Sequence, residues 1–252
     1  MSTKKQSASN KTIAQQDDSA PAQTRSLDTK LELLLAAEKL FALNGLLGVS
    51  MRQIVSAANQ RNASTIHYHF GSRDALIYAI CEYRILGIEQ DRAHRLAQYL
   101  QAPAILSERV IALLEALLWP SAQPIIDSHG QSYFRRFLAH SFVSDTVDLP
   151  GFIKGRFDMG MRQIAGLLQQ HLTHLSEASF NIRWALMIRS VTYLLANLEA
   201  RAEATSKAKA TALIKRGVRD IAVSFAGMLQ APDNSSACDI TEKVKQSNTK
   251  RK

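Results

Sequence analysis

Residues 50–72, SMRQIVSAANQRNASTIHYHFGS, constrain the fold more than any other stretch. Ser50 is a good N-cap, because its hydroxyl accepts one of the unpaired N–H groups of a first helical turn. Met51, Ile54, Val55 and Ala58 recur three to four apart and predict one apolar stripe on a short helix. Residues 59–62, Asn-Gln-Arg-Asn, interrupt that period. Asn59 tolerates the left-handed conformation that a tight helix–helix turn needs, and Asn62 can cap a second helix over about residues 63–70. In that second helix only Ile66 and Phe70, at i and i+4, anchor a face. Ser64, Thr65, His67, Tyr68 and His69 are polar or aromatic. A helix this short and polar gains little from burial, so its expected role is to offer donors and rings to something outside.

The flanks carry a family pattern. Ala36-Ala37, Leu40-Phe41-Ala42 and Gly45 precede the stretch, and Ser50-Met51-Arg52-Gln53-Ile54 opens it. Ile66-His67-Tyr68-His69-Phe70, then Gly71-Ser72-Arg73 and Ala75-Leu76, close it. Over residues 31–80 the chain resembles the DNA-binding domain of TetR-family (AcrR-like) transcription regulators, with a turn one residue longer than the usual pattern. The resemblance implies an all-α fold. An N-terminal three-helix helix-turn-helix domain is followed by a C-terminal helical bundle for ligand binding and dimerisation.

The rest of the chain fits that outline. Residues 1–26 and 231–252 are polar without period and read as disordered tails. The DNA-binding domain is expected over 27–72 and the effector-binding and dimerisation domain over 73–230. Apolar periodicity predicts a first helix over 27–43, ended by Asn44-Gly45, with Leu46 and Val49 packed into the small core. A long helix follows over 73–100, with a bend at Gly87. A strongly apolar helix spans 104–119, stopped by Pro120 and Pro124. Further helices are expected over 128–143 and 152–175, separated by a turn at 148–151. Gly155, Gly160 and Gly166 would let a neighbouring helix approach closely. Residues 177–204 and 207–230 form a helical pair, apolar on more than one side. The resemblance implies that about 177–230 of two copies meet as a four-helix homodimer interface.

Composition narrows the function less than the motif does. The net charge of +9 suggests a polyanionic partner. Residues 27–84, however, hold six basic against five acidic side chains, so bulk charge does not make the case. Cys81 and Cys238 are far apart in sequence and fit a reducing cytoplasm. Lys4 and Lys5 precede no apolar stretch, so no signal peptide is read, and no run reaches the ~18 apolar residues of a membrane span. The expected place is the cytoplasm, on the nucleoid. No glycine-rich phosphate loop or nucleophile elbow appears, so no enzyme and no cofactor are expected. His171 and His174, i and i+3, lack an acid at a matching position, so no metal site is expected either.

A helix fits the major groove, where each base pair shows a distinct set of donors, acceptors and methyls. Arg52 is placed to fork onto a guanine. Gln60, Arg61 and Asn62 lie at the turn within reach of base edges or phosphate. Ser64 and Thr65 are short enough for close approach, and the Thr methyl can meet a thymine methyl. The resemblance adds His67 at a base or backbone contact and Tyr68, His69 and Arg73 at phosphate contacts. It further implies a homodimer on double-stranded, palindromic operator DNA, repression as the usual outcome, and release by a small-molecule effector. Trp119, Phe134, Phe137, Phe142, Trp184 and Tyr193 are candidate walls for a small hydrophobic or amphipathic effector. Arg135, Arg136 and Arg183 are candidates for an acidic group, although surface placement is expected for them. The rival reading is a helical adaptor that binds partner helices without DNA specificity. It explains the apolar C-terminal half but not an exposed Ser-Thr-His-Tyr-His helix.

Overall fold

Two apolar cores, joined by a long helix that enters both and by one short helix between them, organise the chain. The computed structural model describes residues 22–62, 64–101, 106–128, 131–144 and 146–233. Of the expected tails, 1–26 and 231–252, residues 1–21 and 234–252, with Cys238, lie outside the described residues, while 22–26 are helical. The elements are α1 (Ala22–Asn44), α2 (Met51–Ala57), α3 (Ser64–Phe70), α4 (Arg73–Gln101), α5 (Leu106–Asp127), α6 (Phe134–Phe142), α7 (Leu149–Ile153), α8 (Met159–His171), α9 (Glu177–Glu203) and α10 (Lys207–Gln230). The fold is all-α, and there is no strand among the described residues.

The first core gathers Leu33, Phe41, Leu46, Val49, Ile54, Ile66, Leu76 and Ile80 from α1 to α4. It does not stop at the helix-turn-helix. Phe134, Phe137 and Leu138 of α6 and Leu149 of α7 pack into it too. The second core joins α5, α8, α9 and α10 through residues such as Leu113, Leu118, Ile164, Leu195 and Ile214. α6 packs against both α1 and α9 and so bridges the two cores.

Several boundaries depart from the expected ones for identifiable reasons. α1 begins at Ala22, five residues before the expected start. Thr24, Leu27 and Asp28 in its first two turns are exposed, so no apolar period marks that start. α4 runs as one helix through Gly87. α5 does not stop at Pro120 but continues through it and through Pro124 to Asp127. Each proline removes a backbone donor and typically costs a helix interior about 3 kcal/mol. Tertiary burial offsets that cost: Leu117, Leu118, Ala122 and Ile125 around the prolines are all buried. Two arginines also donate into this stretch, Arg92 Nη2 to Leu117 O (3.4 Å) and Arg135 Nε to Ser121 O (3.2 Å). This continuation makes residues 108–127 long and apolar enough to cross a membrane by length and composition, although 56% of the segment is buried inside the fold.

α6 starts at Phe134 rather than 128, because its N-terminal cap comes from elsewhere in the chain. Tyr133 makes no side-chain cap. Instead the Glu199 carboxylate of α9 accepts the backbone N–H groups of Arg135 (3.2 Å) and Arg136 (3.0 Å). The helix expected over 152–175 is two helices. Asp148 caps α7, and Gly155, at φ +77°, ends it. The Asp158 carboxylate accepts the Gly155 N–H (3.1 Å). Of the three glycines in that segment, Gly160 allows the close approach. Its N–H donates to Glu89 of α4 (2.9 Å), and a Cβ there would lie 3.1 Å from the Arg92 side chain.

The tight turn after α2 is fixed by Asn59, at φ 55°. A side chain without Asn's local hydrogen bonding costs about 1–2 kcal/mol in that region, and Gly costs nothing there sterically. Asn59→Val is therefore expected to lower unfolding free energy by about 1–2 kcal/mol, with Asn59→Gly close to the parent chain. Urea unfolding that ranks Val level with Gly would contradict this account of the turn.

Candidate nucleic-acid interface

α2 and α3 are short helices held by a few contacts, which leaves most of their polar side chains free. Ser50 and Gln53 form a capping box. The Ser50 hydroxyl accepts the Gln53 N–H (3.3 Å), and the Gln53 side chain accepts the Ser50 N–H (2.7 Å). Ile54, Val55 and Ala58 are buried, which turns Arg52 outward. In the turn, Arg61 and Asn62 are exposed. The Asn62 side-chain oxygen accepts the Ser64 N–H (3.0 Å), capping α3. Gln60 is half-buried and donates to exposed Glu32 of α1 (3.0 Å).

α3 is pinned by Ile66, 1% exposed, and by half-buried Phe70. Burying an isoleucine side chain contributes roughly 1.5–3 kcal/mol, enough to hold two turns against α1 and α4. Ser64, His67 and Tyr68 face outward, with Thr65 at the edge. Tyr68 is 83% exposed. A phenol ring so exposed gives up apolar burial and is positioned instead by His69, whose ring meets it edge-on at 5.0 Å. His67 Nδ1 lies 3.0 Å from Gly71 O, which fixes the imidazole over the end of the helix. His69 is half-buried, and burial, then the nearby Lys30 ammonium, lower its pKa.

Arg73 was expected on phosphate but faces the protein. Its Nη1 donates to Val49 O (2.6 Å) and its Nη2 to Leu46 O, while the guanidinium lies 5.1 Å from the Phe41 ring centre. It closes the loop between α1 and α2, whose carbonyls have no helical partner. The outward face is therefore Arg52, Arg61, Asn62, Ser64, Thr65, His67 and Tyr68, on two helices and their turn.

This arrangement coincides with a family model. Residues 33–80 match the model of bacterial regulatory proteins of the tetR family, and residues 115–228 match that of the tetracyclin repressor-like C-terminal domain. Together they span more than half of the chain. The chain belongs to the tetR family. It is a transcription regulator with a DNA-binding helix-turn-helix made by α2 and α3. Solved structures similar to this TetR-family chain include a tetR family transcription regulator from Shewanella sp. PV-4, at 21% sequence identity and a TM-score of 0.48, covering 74% of this chain and 95% of that one. Another is the fatty acid degradation regulator FadR from Bacillus halodurans, at 13% identity and a TM-score of 0.44, covering 77% of this chain and 94% of that one. No curated protein matches the chain.

The six aromatics expected to wall an effector site do not converge in this TetR-family fold. Phe137 is fully buried between Phe41 (6.2 Å between centroids) and Phe134 (6.0 Å), so it belongs to the first core. Phe142 packs against the same core. Trp119 lies beneath Arg95 (5.9 Å), and Trp184 stacks on Phe180 (6.1 Å). Tyr193 is exposed. Of the six, Phe134 alone reaches a cleft of about 500 Å³ between α4, α5 and the start of α6. Arg84, Arg95 and Arg135 also line that cleft.

Arg135 and Arg136 are not surface residues. Arg135 is 8% exposed, and Arg136 pairs with Glu199 (3.3 Å) and Glu203 (2.8 Å). Arg183 donates to the last carbonyls of α10 and just beyond, reaching Ala231 O at 2.6 Å, and so caps that helix. α8 ends at His171, so His174 lies beyond it and the two histidines share no helical face. Among the described residues no group of three or more His, Cys, Asp and Glu could hold a metal ion.

Sequence reasoning missed Glu38, Arg84 and Glu199. Glu38, 1% exposed, takes a two-point ion pair from Arg84 (2.6 and 2.9 Å). The signal was present. Glu199 shares its helical phase with Leu195 and Ala202, and Glu38 shares its own with Leu34, Phe41 and Ala42. An acid in a buried phase demands a partner.

Arg73→Gln is expected to lower stability by about 1–3 kcal/mol, because two loop carbonyls lose a charged donor. Tyr68→Ala is expected to change it by less than about 0.5 kcal/mol. Thermal unfolding of both variants checks the division between clamp and contact residue.

Proposed function

We propose that this chain is a ligand-responsive transcriptional repressor. It binds a palindromic operator in cytoplasmic DNA as a homodimer and is released by a small-molecule effector. The observation that carries the reading is α3 itself, a helix held by Ile66 and Phe70 that leaves Tyr68, His67 and Ser64 in solvent next to Arg52 and Arg61. Its N-terminal turn offers short side chains to base edges. Tyr68 and His69 take phosphate, and phosphate contacts set register while base contacts set sequence.

One such face covers few base pairs, so a second copy is needed for a specific site. The surface suited to that copy is on α9 and α10. Ile182 (70% exposed), Leu186 (55%) and Tyr193 lie at i, i+4 and i+11 on one face of α9, and Val223 of α10 is exposed as well. An apolar stripe of this length fits an isologous helix-pair interface. The adaptor reading accounts for that stripe but leaves the exposed α3 side chains without a role. The cleft between α4, α5 and α6 is the effector site in this reading, because α4 continues directly from the DNA-binding helices.

Operator binding is expected to weaken steeply with salt, the logarithm of affinity falling in proportion to the phosphates contacted, with a slope of about −0.9 per phosphate. Tyr68→Ala should weaken all sequences alike. Arg52→Ala should also relax preference at one base pair, by about 1–3 kcal/mol of discrimination. Selection of bound DNA from a random pool checks both, and matching selectivity profiles for the two variants would remove Arg52 from base readout. Sedimentation should show a dimer at micromolar concentration, and a monomer after Ile182→Glu with Leu186→Glu.

A further inference from the structure

Most charged side chains that line the cleft have a partner. Arg84 is matched by Glu38 behind it (2.6 Å), and Arg95 by Asp91 (3.0 Å). Asp127, at the solvent-exposed rim, accepts a hydrogen bond from Gln123 (2.9 Å). Arg135 is different. Its Nε donates to Ser121 O (3.2 Å), and its guanidinium lies 5.1 Å from the Phe134 ring centre. Its two terminal nitrogens make no hydrogen bond or ion pair among the described residues, and the side chain lines the cleft.

A second buried guanidinium converges on the same spot. Arg92 pairs with Glu89 and reaches Ser121 Oγ (3.5 Å), yet its Nε is enclosed without a partner. Burial, together with the nearby Arg135 charge, pushes the Arg92 pKa down to about 9. Burial also lowers Arg135 to about 10. Glu199, then Cys81 and Glu38, pull the Arg135 pKa the other way, yet none of them forms an ion pair with it, and a buried cation so placed stands ready for an anion.

The α6 N-terminus does not supply the anion site, since Glu199 already occupies the Arg135 and Arg136 N–H groups. Ile88, Pro120, Pro124 and Phe134 give the cleft an apolar surface beside polar Ser121, Gln123 and Ser132. Resting on the ligand-released reading above, we propose that this cleft takes a small organic carboxylate, its apolar body against the two prolines and its carboxylate forked onto Arg135. One free guanidinium matches one planar monoanion through two parallel hydrogen bonds. A dianion would leave surplus negative charge facing Asp91 and Asp127. Arg135 lies two residues before Phe137, which packs on Phe41 of α1, so an occupant of the cleft touches the helix that packs against the DNA-binding core.

The test uses the full chain with benzoate, its neutral isostere benzamide, and inorganic phosphate, read by thermal unfolding and by operator affinity. Benzoate should raise the unfolding temperature with concentration and weaken operator binding, and benzamide should do neither. Arg135→Gln should weaken benzoate binding by at least about tenfold, with Arg135→Lys keeping part of it. Gly87 lines the cleft, and a Cβ there meets nothing within 4 Å, so Gly87→Leu should block benzoate in a folded chain. That variant decides the matter if Arg135→Gln fails to fold. Equal binding of benzamide, unchanged benzoate binding in Gly87→Leu, stronger binding of phosphate, or no response to benzoate up to ~10 mM would each overturn the proposal. Thermal unfolding needs no DNA, so a failure of ligand-free protein to bind any operator would sink the regulator reading separately.

Discussion

A carboxylate with no solvent access, Glu199, holds the two halves of the molecule in register. Burying a charged carboxylate is expensive unless hydrogen bonds replace its water. Here two backbone N–H groups of α6 and the Arg136 guanidinium do so. Because α6 has no side-chain cap of its own, this long-range carboxylate defines where the helix starts. The start in turn sets the phase in which Phe137 meets Phe41 of α1 and Arg135 meets the cleft. A nearby ion pair, Glu38 with Arg84, ties α1 to α4. Burial raises the Glu38 pKa despite the opposing pull of Arg84. A buried carboxylate thus ties α1 to α4, and another ties α6 to α9.

This arrangement explains why the DNA-binding helices can remain sparsely packed. α3 needs only Ile66 and Phe70 because α1 and α4 beneath it are fixed independently. The outward side chains then owe nothing to the core. Charge over the helix-turn-helix region is nearly balanced, so recognition rests on where individual groups stand, not on a basic surface. Arg73 illustrates the point. It is a cation in the right place by sequence, yet it is spent on the Val49 and Leu46 carbonyls.

The local parts of this structure were legible from the amino-acid sequence. The Ser50 cap, the left-handed Asn59, the Asn62 cap and the Ile66–Phe70 anchor all depend on neighbours within a few residues. α9 and α10 were equally plain, because long apolar periods leave little choice of phase. What escaped the reading depends on distant partners. α5 keeps two prolines because neighbours bury its flanks and arginines reach its carbonyls. α6 starts late because Glu199 lies more than sixty residues away in sequence. The aromatic residues suggested a pocket by type alone, while burial distributed them between two cores.

The central claim is that two α3 helices enter one face of a duplex together. Hydroxyl-radical footprinting of the selected operator tests it most directly. Two protected patches on one face of the DNA, centred about one helical turn (~34–36 Å) or a multiple of it apart, are predicted, and both should fade together in Tyr68→Ala. A single patch, patches on opposite faces, or a footprint that Tyr68→Ala leaves intact would contradict the account.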